Sequence, residues 1–301
     1  MKVIDCFSFW REFNALEIRL EELYEVVDFF IIIESAYTHT GQKKPFYLTE
    51  SLNAFAKFKN KLIVVNDNYF NPSHSPIERG NYQRALIDNE LIKLKLDKED
   101  LIIISDSDEI PRKIVLEDLK KNPRNVIVEV ALYSSYLNLY LYEWPRIRVL
   151  QYKDFRGAQK EFRETFINTN YKLKRFKFYP FLRIHPWFSA SAFDKFVGSW
   201  VGFNRKNINV ISDGGWHFTK IYDIETLMQK ISFSGHTELN TPDITLKSVK
   251  DDLNNRRVPF GRKDLGSIKV IDSSFPIFVQ NNLDHFKSFI LDSDTSSKED
   301  L

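Results

Sequence analysis

The chain of 301 residues is 43% apolar and carries 26 Phe, 13 Tyr and 5 Trp, which supplies a buried core and excludes disorder over most of its length. Lys and Arg number 43 against 41 Asp and Glu, so a net charge of +2 offers no global field for nucleic acid or anionic lipid. The only cysteine, Cys6, excludes an internal disulfide and any cysteine-based zinc site, and reads as a small buried residue of the first strand.

Residues 2–9 read as a strand, and Asn14 is placed to cap an amphipathic helix with Leu16, Leu20, Leu23 and Tyr24 on one face. Residues 26–33 form an apolar run broken only by Asp28, as expected of a strand buried on both faces of a parallel sheet. A short helix over 49–58, a strand over 61–65, a loop at Pro72 and Pro76 and a long helix over 78–96 follow. Residues 101–104 are a fourth apolar strand. This alternation predicts an α/β fold with a parallel, doubly wound first half.

Beyond residue 126 the pattern changes to aromatic and β-branched stretches over 126–150 and 176–184, which predict antiparallel or mixed strands. Helices return over 223–231 and 245–253, and strands over 268–271 and 276–279 close the fold. The expected organisation is one domain over residues 1–286 with a polar, frayed tail over 287–301. The first residues lack a secretory apolar core, and no apolar run approaches the ~20 residues that span a bilayer. The expectation is a soluble, cytoplasmic protein with no transmembrane segment.

The fourth strand runs directly into Ser105-Asp106-Ser107-Asp108-Glu109. Ligands of open α/β sheets gather beyond the carboxyl ends of the strands. Asp106 and Asp108, two apart, share a side in extended backbone, and their repulsion is relieved by a proton or a hard cation such as Mg²⁺ or Mn²⁺ shared with ligand phosphates. The plain alternative is an acidic, solvated turn before the next helix. Arg79 and Arg84, near the start of the long helix, have the geometry to reach a diphosphate, or else belong to an intrahelical charge ladder. Asp213-Gly214-Gly215-Trp216-His217 combines two glycines that permit close approach, an indole face for a sugar ring and a histidine for a metal or a core hydrogen bond. His236 and Glu238, in the run after the 223–231 helix, are either ligand contacts or part of a helix C-terminal turn, and Trp187 is a candidate aromatic platform for an acceptor.

Taken in order, these segments resemble glycosyltransferase family 17. The resemblance rests on Asp5-Cys6-Phe7, the stretch from Phe13 to Leu20, Phe30 to Glu34 with Thr38-His39-Thr40-Gly41, Glu78-Arg79 with Gln83-Arg84, residues 105–111, Gly214-Gly215-Trp216-His217 and His236-Thr237-Glu238. It implies a GT-A-like, Rossmann-type, mostly parallel sheet with a mixed or antiparallel acceptor-side half. It also implies inverting transfer of a sugar, with UDP-N-acetylglucosamine as donor and a glycan or glycoconjugate as acceptor. Asp106 and Asp108 then match the family's Asp-x-Asp on Mn²⁺ or Mg²⁺, joined here by His217. Asp5, Phe7, Asn14, Glu34, Arg79, Arg84 and Asp106 fall on the donor side, and Trp187, Trp216 and His236 on the acceptor side. The acceptor hydroxyl needs a general base, for which Asp213 is the first candidate, then Glu238 and Glu109. Two other functions fit parts of the pattern. A metal-dependent phosphohydrolase or nucleotidyltransferase would release phosphate without a sugar acceptor, and a non-catalytic glycan-binding protein would bind glycan without nucleotide.

Overall fold

The computed structural model describes residues 1–161, 209–233, 241–242, 244–259 and 266–292. The first half is built as the apolar runs require. Strands β1 (Val3–Ser8), β2 (Phe29–Ser35), β3 (Leu62–Asp67) and β4 (Leu101–Ile104) lie side by side in the order β3-β2-β1-β4, all parallel. Helices α1 (Phe13–Leu23) and α3 (Pro76–Lys93) accompany them, with the short α2 (Tyr47–Glu50) and a 3₁₀ segment Leu52–Lys61 between β2 and β3. The central strands carry side chains buried on both faces. Phe7, Phe30, Ile32 and Ile103 pack with Leu16 and Leu20 on one side, and Ile4, Cys6, Ile31 and Ile102 with Ile87 and Leu91 of α3 on the other.

After β4 the chain turns through residues 105–108 into the short β5 (Glu109–Pro111), then α4 (Lys113–Lys121). A hairpin-like pair, β6 (Val126–Ser134) and β7 (Leu139–Gln151), is antiparallel, and β7 is antiparallel to β4, which joins the two halves into one sheet. Strands β8 (Asn209–Ile211) and β9 (Gly215–Thr219) both run parallel to β6, and β9 pairs antiparallel with β5. Then come α5 (Ile224–Phe233), α6 (Leu246–Asn254), β10 (Ser267–Ile268) and α7 (Ile277–Asn281). A parallel half and a mixed half within one α/β sheet is the expected architecture.

Several local expectations are corrected. Asn14 is not the cap of α1: Glu12 holds that position, and its carboxylate accepts the Trp10 and Arg11 N–H groups while Asn14 donates to the Ile221 carbonyl. The long helix starts earlier, at Pro76, because Ser75 and Glu78 form a reciprocal capping box. Residues 276–279 begin a helix rather than a strand: Gln280 N–H reaches the Pro276 carbonyl, and Phe275 and Val279, four apart, bury one helical face. The tail is not free from Lys287: Leu137 N–H donates to the Phe289 carbonyl, and Asn138 bonds both backbone groups of Leu291. The 176–184 stretch lies outside the described residues.

The paired glycines are explained by packing. A Cβ on Gly215 would stand 2.1 Å from the Ile110 carbonyl oxygen, and one on Gly214 2.2 Å from a Val128 methyl. Gly215→Ala is therefore expected to push β9 off β5 and cost about 3 kcal/mol, read as a lowered urea midpoint.

Candidate active site

The carboxyl ends of β1 to β4 open onto one edge of the sheet, and the acidic turn stands there. It is a turn rather than extended backbone, closed by the Glu109 N–H on the Asp106 carbonyl at 3.1 Å. What fixes it is Arg19, wholly buried on α1. Its Nε and Nη2 hold the Asp5 carboxylate at 2.7 and 2.5 Å, and Nη2 also donates to Ser105 Oγ at 2.8 Å. Its Nη1 donates to the carbonyls of Asp106 and Glu109 at 2.8 Å and of Ser107 at 3.3 Å. With the carbonyls drawn inward, the side chains of Asp106 and Asp108 keep 39% and 15% of their surface exposed.

Each carboxylate of the turn meets a basic side chain. Arg84 lies 3.2 Å from Asp106 Oδ1, His217 Nε2 3.4 Å from Asp108 Oδ1, and Arg146 Nε 3.2 Å from Glu109 Oε1. Burial favours the neutral form of Asp106, but Arg84 and then Arg146 outweigh it and hold its pKa below the usual range. Glu109 is pushed up to about 7, by burial first and by Asp106 next. Burial works against charge on His217, yet Asp108, Glu109 and Asp106 raise its pKa. His39, from the loop after β2, is the reverse case: burial, then Arg84 and Lys230, lower it to about 4, and it meets Gln83 Oε1 at 3.3 Å.

Helix α5 closes this edge from the other half of the chain. Lys230 pairs with Glu12 and lies 5.0 Å over the Trp10 ring, while Tyr222 donates to Glu12 at 2.9 Å. Thr40 Oγ1 donates to the Ser232 carbonyl at 3.3 Å and Arg11 to Gln229 at 2.7 Å. Against burial, Lys230 lowers Glu12 to about 2, and Glu12 with Asp108 and Asp106 raises Lys230.

The expected residues are thus only partly together. Asp106, Asp108, Glu109, His217 and Arg84 share the site, and Arg79 borders it, donating to the His39 carbonyl at 2.8 Å. Asp5 and Phe7 are corrected: both are fully buried, Asp5 in the ion pair with Arg19 and Phe7 beneath the same guanidinium at 4.3 Å, so neither lines a donor site. Glu34 is also sealed, its carboxylate accepting the Leu48 and Thr49 N–H groups, and Asn14 serves the Ile221 carbonyl. Asp213 lies two residues before β9, in the turn leading into it, and is paired with Arg112 at 2.9 Å. Trp216 neighbours His217 in an alternating strand and so faces the opposite side of the sheet. Trp187, His236 and Glu238 lie outside the described residues.

Among the described residues no group of three or more His, Cys, Asp or Glu is placed to hold a metal ion, so the three-ligand set of Asp106, Asp108 and His217 is not assembled. His217 Nε2 instead stands 3.4 Å from Asp108, whose charge raises its pKa. Two part-exposed carboxylates at a strand end remain, which fits a hard cation that takes one or two carboxylates and completes its shell with phosphate oxygens and water. His217 Nδ1, buried without a partner, is a polar atom left for a ligand.

Sequence reading missed Arg19, Glu12, Arg146 and Lys230. Arg19 was legible in principle: it stands three residues after Leu16 and four before Leu23, inside the apolar stripe, where an arginine signals a buried partner.

An acidic turn beyond a parallel α/β strand end defines an enzyme-like site for a ligand bound at the sheet's carboxyl edge. The chain belongs to glycosyltransferase family 17, whose model matches residues 1–179. It is 30% identical over 118 residues to the beta-1,4-mannosyl-glycoprotein 4-beta-N-acetylglucosaminyltransferases of Rattus norvegicus and Homo sapiens. That match covers 37% of this chain and 22% of each relative's length. A mannosyltransferase of Pyrobaculum calidifontis, solved with GDP-Man and Mn²⁺, overlaps 54% of this chain and 51% of its own at a TM-score of 0.33 and 10% identity. No helix among the described residues is long and apolar enough to cross a membrane.

Two outcomes follow from this geometry. Arg19→Met leaves Asp5 charged and buried and the turn carbonyls without donors, so it is expected to cost about 3–5 kcal/mol in denaturant unfolding. Glu12→Gln tests the α5 contact. Because the folded pKa of Glu12 lies below its unfolded value, its contribution is complete above pH ~4.5 and lost as pH falls toward 2. Lys230 keeps 37% of its side chain in solvent, so screening limits the loss to about 1–2 kcal/mol at neutral pH. The difference in Tm from wild type should shrink steadily between pH 5 and pH 2.

Proposed function

We propose that this glycosyltransferase moves a sugar, N-acetylglucosamine from UDP-N-acetylglucosamine, onto a hydroxyl of a glycan acceptor with inversion at the anomeric carbon. The observation that carries the reading is the Asp106-Ser107-Asp108 turn at the end of β4, held from beneath by Arg19 with its carboxylates left toward solvent. Asp106 and Asp108 would hold Mn²⁺ or Mg²⁺, which when bound neutralises charge building on the departing diphosphate. Arg79 in the first turn of α3 and Arg84 farther along it are suited to the same phosphates, because a guanidinium matches their geometry and stays charged.

In the reaction the acceptor oxygen bonds to the anomeric carbon as the bond from that carbon to the diphosphate oxygen breaks, and the hydroxyl proton passes to a carboxylate base. Glu109 is 1% exposed and already accepts the Asp106 N–H, so it positions the turn rather than meeting an acceptor. Asp213 opens onto the other face of the sheet. We assign the base to Glu238, the candidate of the three that these two observations leave.

Thermal unfolding with UDP-N-acetylglucosamine tests the donor and the metal together. A Mn²⁺-dependent stabilisation of about 2.7 kcal/mol is expected at a hundredfold excess over Kd. It should vanish in Asp108→Ala, and stabilisation that survives chelator and this variant would refute the acidic pair's role. Glu238→Gln should abolish transfer but retain the donor-induced shift, whereas Asp213→Asn should keep transfer. The opposite pattern would return the base to Asp213.

A further inference from the structure

The face of the sheet turned away from the acidic pair carries a second cleft, of about 320 Å³. Strand alternation makes it separate. His217 looks toward Asp108, and its neighbour Trp216 looks the other way, as do Ala131 and Tyr133 of β6. The cleft's floor is aromatic. Tyr133 and Tyr140 meet edge to face at 5.8 Å, and Trp216 is anchored by its Nε1 on the Ser274 carbonyl at 3.0 Å.

The rim carries both signs of charge. Arg112 donates to the Asp213 carbonyl and carboxylate, both at 2.9 Å, and lies 4.3 Å over Trp216. The Tyr140 hydroxyl donates to Glu143 at 3.2 Å, and Lys269 lies 4.8 Å over the Tyr140 ring. Asp213 keeps 83% of its side chain exposed, and Lys269 and Asp272 are exposed as well. Hydrogen bonds hold Arg112 against Asp213 and Tyr140 against Glu143, while Lys269 is an exposed side chain free to turn, and all are open to a ligand.

This combination selects among ligand classes. An anion would meet Glu143, Asp213 and Asp272, and a cation would meet Arg112 and Lys269. A neutral polyol uses donors and acceptors of both kinds, and a pyranose has an apolar C–H face that lies on an aromatic ring. The volume falls at the small end of the range of ligand sites. We propose that this cleft is a saccharide-binding site distinct from the transfer site. One pyranose unit lies over Tyr140 against Tyr133, with hydroxyls directed to Arg112, Asp213 and Asp272. Lys269, on a flexible exposed stem, leaves the Tyr140 face and meets a hydroxyl. The site operates whichever donor or base the transfer reaction uses.

Calorimetric titration of the full chain with N,N′-diacetylchitobiose and with methyl α-mannoside tests this. Saturable binding of at least one sugar is expected. Tyr140→Ala should weaken it about tenfold, equivalent to ~1.4 kcal/mol. Lys269→Glu, a rim change that leaves the floor intact, should weaken it too, while Asp106→Asn should leave it unchanged. Both cleft variants should keep the Mn²⁺-dependent shift with the nucleotide sugar, which separates failure here from failure of the transferase reading. No saturable binding of either sugar, binding indifferent to both cleft variants, or displacement by inorganic phosphate would each overturn the proposal.

Discussion

The arrangement of this molecule depends on one guanidinium. Arg19 joins α1 to β1 through Asp5 and to the turn after β4 through Ser105 Oγ and three carbonyls, using its donors in several directions at once. A buried ion pair gains little net stability, because desolvation of both charges offsets their attraction. Its consequence here is geometric. A turn whose carbonyls are drawn inward presents its carboxylates outward, and a lysine, with a single nitrogen, could not span the same set of acceptors. The acidic site is thus set from below by residues that no ligand touches.

Above that base the charges are distributed in opposed pairs drawn from distant parts of the chain. Arg84 comes from α3, Arg146 from β7, His217 from β9, and Lys230 with Glu12 from the contact between α5 and the loop after β1. The parallel half supplies the carboxylates and the mixed half supplies much of the compensating charge, so neither half completes the site alone. The same sheet separates two environments. Glu109 and His217 turn toward the acidic edge, and Trp216 one position away turns into the aromatic cleft, because a strand sends consecutive side chains to opposite faces.

Much of the framework was legible in the chain. Continuous apolar runs such as 29–33 and 101–104 have no polar face to show to water, and they became central parallel strands. The acidic turn was legible because two aspartates straight after a buried strand bring two carboxylates to the carboxyl edge of the sheet, where ligands of α/β folds gather. The residues carried by resemblance fared differently. Asp5, Phe7 and Glu34 lie in the stretches that carry the resemblance, yet each is sealed and serves the framework, by pairing Arg19, packing beneath it or capping α2. A resemblance in sequence does not separate a ligand contact from a buried support. Residues 276–279 are ambiguous in sequence because three apolar or β-branched positions after a proline suit either a strand or a helical turn. Burial of Phe275 and Val279 on one face decided for the helix.

By itself the sequence determined the strand-and-helix alternation, the parallel first half and the place of the acidic pair, since these follow from local hydrophobic periodicity and from carboxylates adjacent in the chain. Only the tertiary structure decided which residues face those carboxylates. It set Arg19, Arg84, Arg146, His217 and Lys230 around one turn, and it sent Asp213 and Trp216 to the other side of the sheet. The physical reason is that pairing of charges depends on distance in space and on the face a strand presents. Both are fixed by sheet order and register, which bring together positions more than a hundred residues apart.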